Sequence, residues 1–481
     1  MARSRLGCVS LGNRTSLLAG IVMEVCFAAI VALPILRGPS LKPFLVFFLL
    51  ASAAYAMAVL WLGRAPLSVR GIWAFAILFR LTVLLTSPPT LSDDVYRYIW
   101  DGRLANAGVS PYAHTVNSPL LDQFDSLERS LVNNAWMASP YLPVSQALFA
   151  AVYRLAPANP LAFQFLAVFF DLLTGWLVID LLRMLNLPRA RGLIYLWNPL
   201  VIVEAAHGAH VDTLMICLMM VSLWALVAAR RGAIRSLLLS VVALAAATLI
   251  KGIPALLVSV VGWCWGWRRT LLYVGLVVVA LVPFGLAAGW GLTGPRDGEG
   301  LFGALRIYGA QWNYNGGLYH WLEVGLSGYR TPGAVPPEIV GEAPIRAAKL
   351  IMMVMLGLVS IAVAWKARGC KDDVVMLRLA AIPLGAYLLL TTTVHPWYVT
   401  LMIPLLPFLL PAEGEPSRSG RFIWPWIYLS AAVSLSYLTY LDPENLREYD
   451  WVRLFEYVPF YLLLIWAVWP ANGGARELAA S

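Results

Sequence analysis

Asp93 and Asp94 stand side by side in SDDVYRYIWDGRLANAGVSPY, residues 92–112, directly after the apolar run 71–86. The same segment carries Arg97, Arg103 and the rings of Tyr96, Tyr98 and Trp100. A charge at the bilayer centre costs several kcal/mol, so ionisable groups gathered where an apolar run ends mark a candidate site. Two carboxylates, cations and rings at that depth suit chemistry on a lipid-borne substrate.

Further polar groups recur at the ends of other apolar runs. NPLVIVEAAHGAHVDTL, residues 198–214, holds Glu204, His207, His210 and Asp212. On a continued helix His207 and His210 would share a face. Asp212 could complete a metal set, but the spacing matches no recognised ligand pattern. No metal site is expected; the group reads as hydrogen-bonded polar residues facing an aqueous cavity and contacting substrate, as functional loops do. Lys251 closes the run 236–250 and has two readings, a snorkelling side chain or a cation for a lipid phosphate at headgroup height. His395 precedes Pro396, which fits a helix start, with Trp397 and Tyr398 suited to an aromatic belt. In YGAQWNYNGGLYHW, residues 308–321, Gln311, Asn313 and Asn315 alternate with aromatic rings. Amides for hydroxyls and rings for an apolar sugar face make a sugar-contact composition; a loop anchored at the belt is the other reading.

These groups need helices to hold them. Hydrophobic residues make up 60% and charged residues 13% of 481, and mean hydropathy is +0.73. So apolar a chain lacks the polar surface of a soluble protein. Runs near the ~20 residues that span ~30 Å of hydrocarbon fall at 16–36, 43–62, 71–86, 161–182, 192–206, 211–229, 236–250, 253–267, 270–290, 347–365, 379–394, 397–411, 422–441 and 456–470. The expected fold is an all-α polytopic membrane bundle of about 14 helices. The net charge of +9 is spread as short basic clusters between runs, a positive-inside pattern rather than a nucleic-acid surface. With the N-terminus inside, the linkers holding Arg64, Arg183, Arg230, Arg268 and Lys366 are cytoplasmic. The long loops 87–160 and 291–346 then face outward, with interfacial helices over 94–107 and 139–155. The run 16–36 is too long for a signal h-region and lacks a small-residue cleavage site, so it is expected to stay as the first helix. Cys26, Cys217 and Cys264 lie in apolar runs and no CxxC occurs, so the cysteines read as fillers. The GxGxxG from Gly289 to Gly294 follows a membrane helix and no strand, so it is no dinucleotide motif. Glu24, Arg80, Asp171 and Asp180 lie within spans and are expected to be paired.

A transporter would place its polar residues near the midplane of repeated halves. Here they gather on one side, and no repeat is visible, which favours an enzyme at the outer leaflet; a lipid or glycan transporter is the alternative.

SDDVYRYIWDGRLANAGVSPY resembles the first extracytoplasmic loop of the polyprenol-phosphate-dependent glycosyltransferases of the GT-C superfamily, closest to the bacterial glycosyltransferase family 87 or polyprenol-phosphomannose-dependent α-mannosyltransferase branch. The resemblance continues through SPYLPVSQALFA, the 198–214 run, Lys251 and HPWYVTLMIPLLPF, and so covers about residues 71–411. It implies a catalytic module at 71–411, preceded by two additional helices in 1–70 and followed by helices and a tail in 412–481. It implies a catalytic Asp in the first loop acting as base, matched to Asp94, with Asp93 the neighbour because this chain has DD and not DxD. Close carboxylates repel, so one is expected to have a raised pKa, nearer the neutral value suited to proton abstraction. Lys251, Arg97, Arg103 and His395 are then expected at the donor phosphate, and Tyr98, His207, His210, Asp212, Gln311, Asn313 and Asn315 at substrate. The implied partners are a polyprenyl-phosphate sugar donor, a lipid-linked or polysaccharide acceptor, and membrane lipids. No cofactor is expected, with a divalent metal left open. The implied location is the plasma (inner) membrane, with the site on the extracytoplasmic side.

Overall fold

Proline and asparagine fix where the helices near the site begin. Asn159 and Asn198 each precede a proline at the first helical position. Their side-chain carbonyls accept from the N–H of Leu161 at 3.0 Å, and of Leu200 and Val201 at 3.1 and 3.2 Å. Such a cap satisfies an orphan donor, and proline there loses no helical bond. Pro143 and Pro396 open helices in the same way without a side-chain cap.

The computed structural model describes residues 2–64, 67–293, 298–327, 342–412, 417–442 and 447–469. Parts of the long segment 291–346, Gly294 among them, and the end of the C-terminal tail therefore lie outside the described residues. Each expected span overlaps helical backbone. Among the described residues no strand forms beyond isolated bridges from Tyr314 and Asn315 to Thr393. The chain is an all-α multi-pass membrane protein. Among the described residues nine helices are long and apolar enough to cross a membrane. The remaining spans are short or broken, among them Ser236–Thr248, Ile253–Trp265 and Pro396–Leu409, which is why a count by apolar runs gives more. Helix Asp212–Arg230 sits centrally, with 72% of its apolar window buried, whereas Trp267–Ala288 at 11% lies at the periphery.

The polar residues within spans are paired. Arg80 and Asp171, both fully buried, form an ion pair, and Tyr195 donates to Asp171 Oδ1 at 2.7 Å. Arg80 also donates to the carbonyls of Ala76 and Leu196, at 2.9 and 2.8 Å. Removing one partner of such a pair costs about 3–5 kcal/mol, because the other charge stays buried. Thr82 donates to Glu24, and Arg183 and Trp224 to Asp180.

Basic linkers meet at one end of the bundle. Arg230 Nε lies 3.1 Å from Asp373 Oδ1, and Arg191 donates to the Pro411 carbonyl at 2.6 Å. Asp212 begins the helix that Arg230 ends, about 27 Å away at 1.5 Å per residue. The opposite end includes two shorter helices, Asp94–Asn106 and Pro143–Leu155. They cross so closely that a Cβ at Gly102 would lie 2.4 Å from the Phe149 carbonyl oxygen. Between them Asp101 Oδ2 accepts from Ser139 and Gln146 at 2.5 and 2.9 Å. The Gly289–Gly291 turn is a packing feature too: Leu301 N–H donates to the Gly289 carbonyl at 2.9 Å.

Candidate functional site

At that end lies a cavity of about 840 Å³, walled by the start of helix Asp94–Asn106, the 133–142 loop, Lys251–Ile253, the 308–314 segment and His395–Tyr398. Arg37, Tyr440, Arg447 and Glu448 complete it from both ends of the chain. No local pattern pointed to these four: Tyr440 lies in the run 422–441, and the others are single charged residues in linkers.

Asp94 sits in the cavity wall with its side chain 16% exposed. Its Oδ1 accepts from Asn133 Nδ2 at 3.0 Å, and its Oδ2 from the Tyr141 hydroxyl at 3.4 Å. Behind it His210 Nδ1 lies 3.6 Å from Asp94 Oδ2, and His210 Nε2 lies 3.3 Å from Glu204 Oε2. The Tyr437 hydroxyl donates to Glu204 Oε1 at 2.7 Å. Both His contacts have ion-pair rather than hydrogen-bond geometry. Burial opposes a charge on His210, but the two carboxylates outweigh it and raise its pKa to about 9. The imidazolium, with Asn133 and Lys251, in turn outweighs the burial of Asp94 and holds its carboxyl well below the usual carboxylate range. The carboxylate expected to be poised nearer neutrality is thus strongly ionised. Its neighbour is the one shifted up: burial raises Asp93, against the Arg37 guanidinium 3.0 Å from its Oδ2.

The short turn after helix Pro199–Ala206 explains why His207 and His210 do not share a face. Ala209 adopts φ +55°, and a Cβ at Gly208 would lie 2.6 Å from the His210 ring. His207 points away from the cavity. Its Nε2 accepts from Thr90 N–H at 3.0 Å, and its Nδ1 lies 2.7 Å from Thr86 Oγ1. Since Thr86 donates to the Val83 carbonyl, Nδ1 carries the proton. Burial lowers the His207 pKa to about 3, so a neutral ring anchors the segment leading to Asp93.

Lys251 reaches the cavity with its Nζ 2.6 Å from Asp212 Oδ2 and 5.0 Å from the centre of the Tyr398 ring. Asp212 is therefore the buried partner of Lys251 rather than a group open to substrate. His395 also lines the cavity. It is one of four stacked rings, His210, Trp397, His395 and Tyr314, with centroids 4.0, 4.4 and 4.6 Å apart in turn. Burial lowers its pKa to about 3, so it offers a neutral N–H rather than the expected charge.

Other expected contacts are turned elsewhere. The Arg97 guanidinium donates to the carbonyls of Met137, Asn133 and Asn134 at 3.0, 2.8 and 2.9 Å. It clamps the loop that brings Asn133 to Asp94, and so holds the wall instead of presenting a free cation. Arg103 lies in the last turn of the same helix, outside the cavity lining. Tyr98 is fully buried, stacked on Phe149 at 4.5 Å. Gln311 is exposed outside the cavity. Asn313 lines it, donating to Glu323 at 3.0 Å and leaving its buried Oδ1 without a protein partner. Asn315 is buried against Glu456 at 2.6 Å and fixes the loop to helix Asp450–Val468.

The arrangement offers an ionised carboxylate facing a cavity large enough for a sugar, flanked by Lys251 and Arg37 and by aromatic rings. The model of the family described as alpha-(1->6)-mannopyranosyltransferase, N-terminal domain, matches residues 13–267, just over half of the chain. The matched segment includes the two N-terminal helices, Asp93, Asp94 and Lys251. Comparison with curated proteins and with solved structures finds no match.

Proposed function

Because the chain belongs to the alpha-(1->6)-mannopyranosyltransferase family, we propose that this mannosyltransferase takes its sugar from a polyprenyl-phosphate carrier and passes it to a lipid-linked or polysaccharide acceptor. The reaction occurs at the outer face of the plasma membrane, in the cavity around Asp94. The observation that carries this reading is the Asp94 carboxylate itself, in the wall of the cavity and held by Asn133, Tyr141 and His210.

Asp94 accepts the acceptor hydroxyl proton as the hydroxyl oxygen attacks the anomeric carbon. The bond from that carbon to the carrier phosphate breaks, and its electron pair leaves with the polyprenyl phosphate. One displacement inverts the configuration, so a β-linked donor gives an α-linked product. The attacking hydroxyl becomes strongly acidic as its new bond forms, so a carboxylate of low pKa still takes the proton at that point; what it needs is to be ionised and fixed in place. The leaving phosphate needs positive charge and N–H donors rather than an acid. Lys251 keeps donors free beyond its Asp212 contact and is assigned to that phosphate, with the neutral His395 N–H beside it. Trp397 Nε1 and Asn313 Oδ1, both buried without a protein partner on cavity-lining residues, suit sugar hydroxyls.

The test uses purified protein in liposomes with radiolabelled polyprenyl phosphomannose and a mannoside acceptor. Transfer predicts free polyprenyl phosphate equimolar with the extended mannoside, its new linkage α. Intact donor recovered after incubation with a range of mannosides contradicts the proposal.

A further inference from the structure

Asn315 directly follows two cavity-lining residues, Asn313 and Tyr314, and is itself buried behind the lining. Three of its polar groups are taken by one segment near the other end of the chain. Asn315 N–H donates to Glu448 Oε2 at 3.0 Å, and its side-chain Nδ2 donates to Glu456 Oε2 at 2.6 Å. Its carbonyl accepts from the Tyr457 hydroxyl at 2.7 Å. Glu448 is held in turn by Arg453, which also donates to Asp450 Oδ1 at 2.9 Å. A Cβ at Gly317 would lie 2.7 Å from the Tyr461 hydroxyl, so the chain beyond the turn is seated on the same helix, Asp450–Val468. Asn315 adopts φ +51°, a left-handed conformation that asparagine tolerates better than most side chains.

The turn held in this way carries part of the cavity wall. Tyr314 N–H donates to the Thr392 carbonyl at 3.2 Å, and Val394 N–H donates to the Tyr314 carbonyl at 2.9 Å. These two bonds tie the turn to the stretch that leads into His395, and the Tyr314 and His395 rings stack with centroids 4.6 Å apart. The Tyr314 hydroxyl donates to the Ser436 carbonyl at 2.9 Å. Asn313, two residues before the clamped position, presents the buried Oδ1 that has no protein partner. Lys251 belongs to a different wall, held by Asp212. A shift of the turn would therefore move Asn313 and Tyr314 and leave Lys251 in place.

We propose that Asn315 and Glu456 are positioning residues for sugar recognition: the contact between them sets where Asn313 and Tyr314 meet a hexose in the cavity. Neither residue touches the sugar. The proposal rests on the reading of the cavity as a transfer site, which supplies the hexose. A hydrogen bond weakens steeply once its angle and distance leave a narrow range, and misplacement by about 1 Å is enough to cost a bound substrate its productive geometry. The hexose is the donor's or the acceptor's, and binding measurements separate the two without requiring turnover.

Equilibrium binding to the purified full-length protein is measured with three probes: a short-chain polyprenyl phosphate, the same lipid as its phosphomannose, and a neutral alkyl mannoside. Glu456→Leu removes the carboxylate that holds Asn315, with a residue suited to a membrane helix. Losing a sugar hydrogen bond weakens binding by about three- to tenfold. A rise of that size for the phosphomannose lipid, with polyprenyl phosphate unchanged, assigns the contact to the donor sugar. A rise for the alkyl mannoside assigns it to the acceptor. Glu456→Gln keeps an oxygen to accept from Asn315 and should restore the binding lost in Glu456→Leu. If Glu456→Leu fails to fold, Asn315→Gly, which keeps the left-handed turn and loses only the amide, carries the same test. Unchanged Kd for both mannose probes overturns the proposal, and so does an equal rise for all three, which a purely structural clamp would give. Mannose binding that depends on Glu456 in a protein that transfers no sugar would leave the positioning role standing and remove the transfer reading instead.

Discussion

His210 Nδ1 lies 3.6 Å from Asp94 Oδ2, and the same ring reaches Glu204 on its other side at 3.3 Å. A buried imidazolium between two carboxylates fixes the charge state of the one that faces the cavity. This pair links a turn left after helix Pro199–Ala206 to the first residue of helix Asp94–Asn106, and it sets the expected pH behaviour.

His210→Gln removes the cation and leaves the burial of Asp94 unopposed, so the Asp94 carboxyl rises. The acid limb of kcat/KM should move to higher pH than in the unaltered protein, where Asp94 ionises well below the usual range. His210 itself loses its proton near 9, where Asp94 stays ionised without the cation, so the coupling acts on the acid limb alone. The sign for stability follows from a folded pKa above the ordinary 6.5: the contribution of His210 is complete below about 6.5 and is lost as pH rises through about 9. Rate profiles and thermal unfolding between pH 4 and pH 10, on both proteins, check this. An unmoved acid limb in His210→Gln contradicts the coupling.

Lys251→Met should weaken donor binding by about 10- to 150-fold, the range of a lost charge-assisted contact of ~1.5–3 kcal/mol. Steady-state kinetics at varied donor concentration measure it. An unchanged donor KM and kcat would make Lys251 only the buried partner of Asp212.

Arg97→Lys keeps the charge and loses the fork that serves three carbonyls. The 133–137 loop should loosen and Asn133 should leave Asp94, so kcat falls while donor KM holds. Asn133→Ala should reproduce the fall with the loop intact. If Arg97→Lys instead raises donor KM alone, Arg97 contacts phosphate after all.

The position of the site was legible in the sequence because a membrane makes it so: ionisable residues collect where apolar runs end. Asp93, Asp94, Lys251, Asn313 and His395 all line one cavity, although hundreds of residues separate them. What each side chain faces was not legible. The direction of His207 and His210 depends on a positive φ at Ala209, which no spacing reveals. Arg97 has the same composition-level signature whether it meets a phosphate or three carbonyls. Arg37 and Arg447 escaped notice because single arginines in linkers carry no motif, and only tertiary packing places both at the cavity.

With basic linkers at one end and the cavity at the other, the cavity is expected to face outward. Gln311 and Arg268 are both exposed. An impermeant thiol reagent applied to intact cells should label Gln311→Cys and spare Arg268→Cys until the membrane is opened. The reverse pattern would place the cavity in the cytoplasm.

The most direct measurement compares single-turnover transfer from polyprenyl phosphomannose in Asp94→Asn and Asp93→Asn. Asn keeps the shape of Asp94 but takes no proton, and loss of a positioned base costs about 10²- to 10⁴-fold in rate. Asp94→Asn should fold, bind donor and transfer almost nothing. Asp93→Asn should keep measurable activity, since Asp93 is held by Arg37 and acts on the charge of its neighbourhood. Full activity in Asp94→Asn contradicts the account, and a dead Asp93→Asn beside it moves the base one residue back.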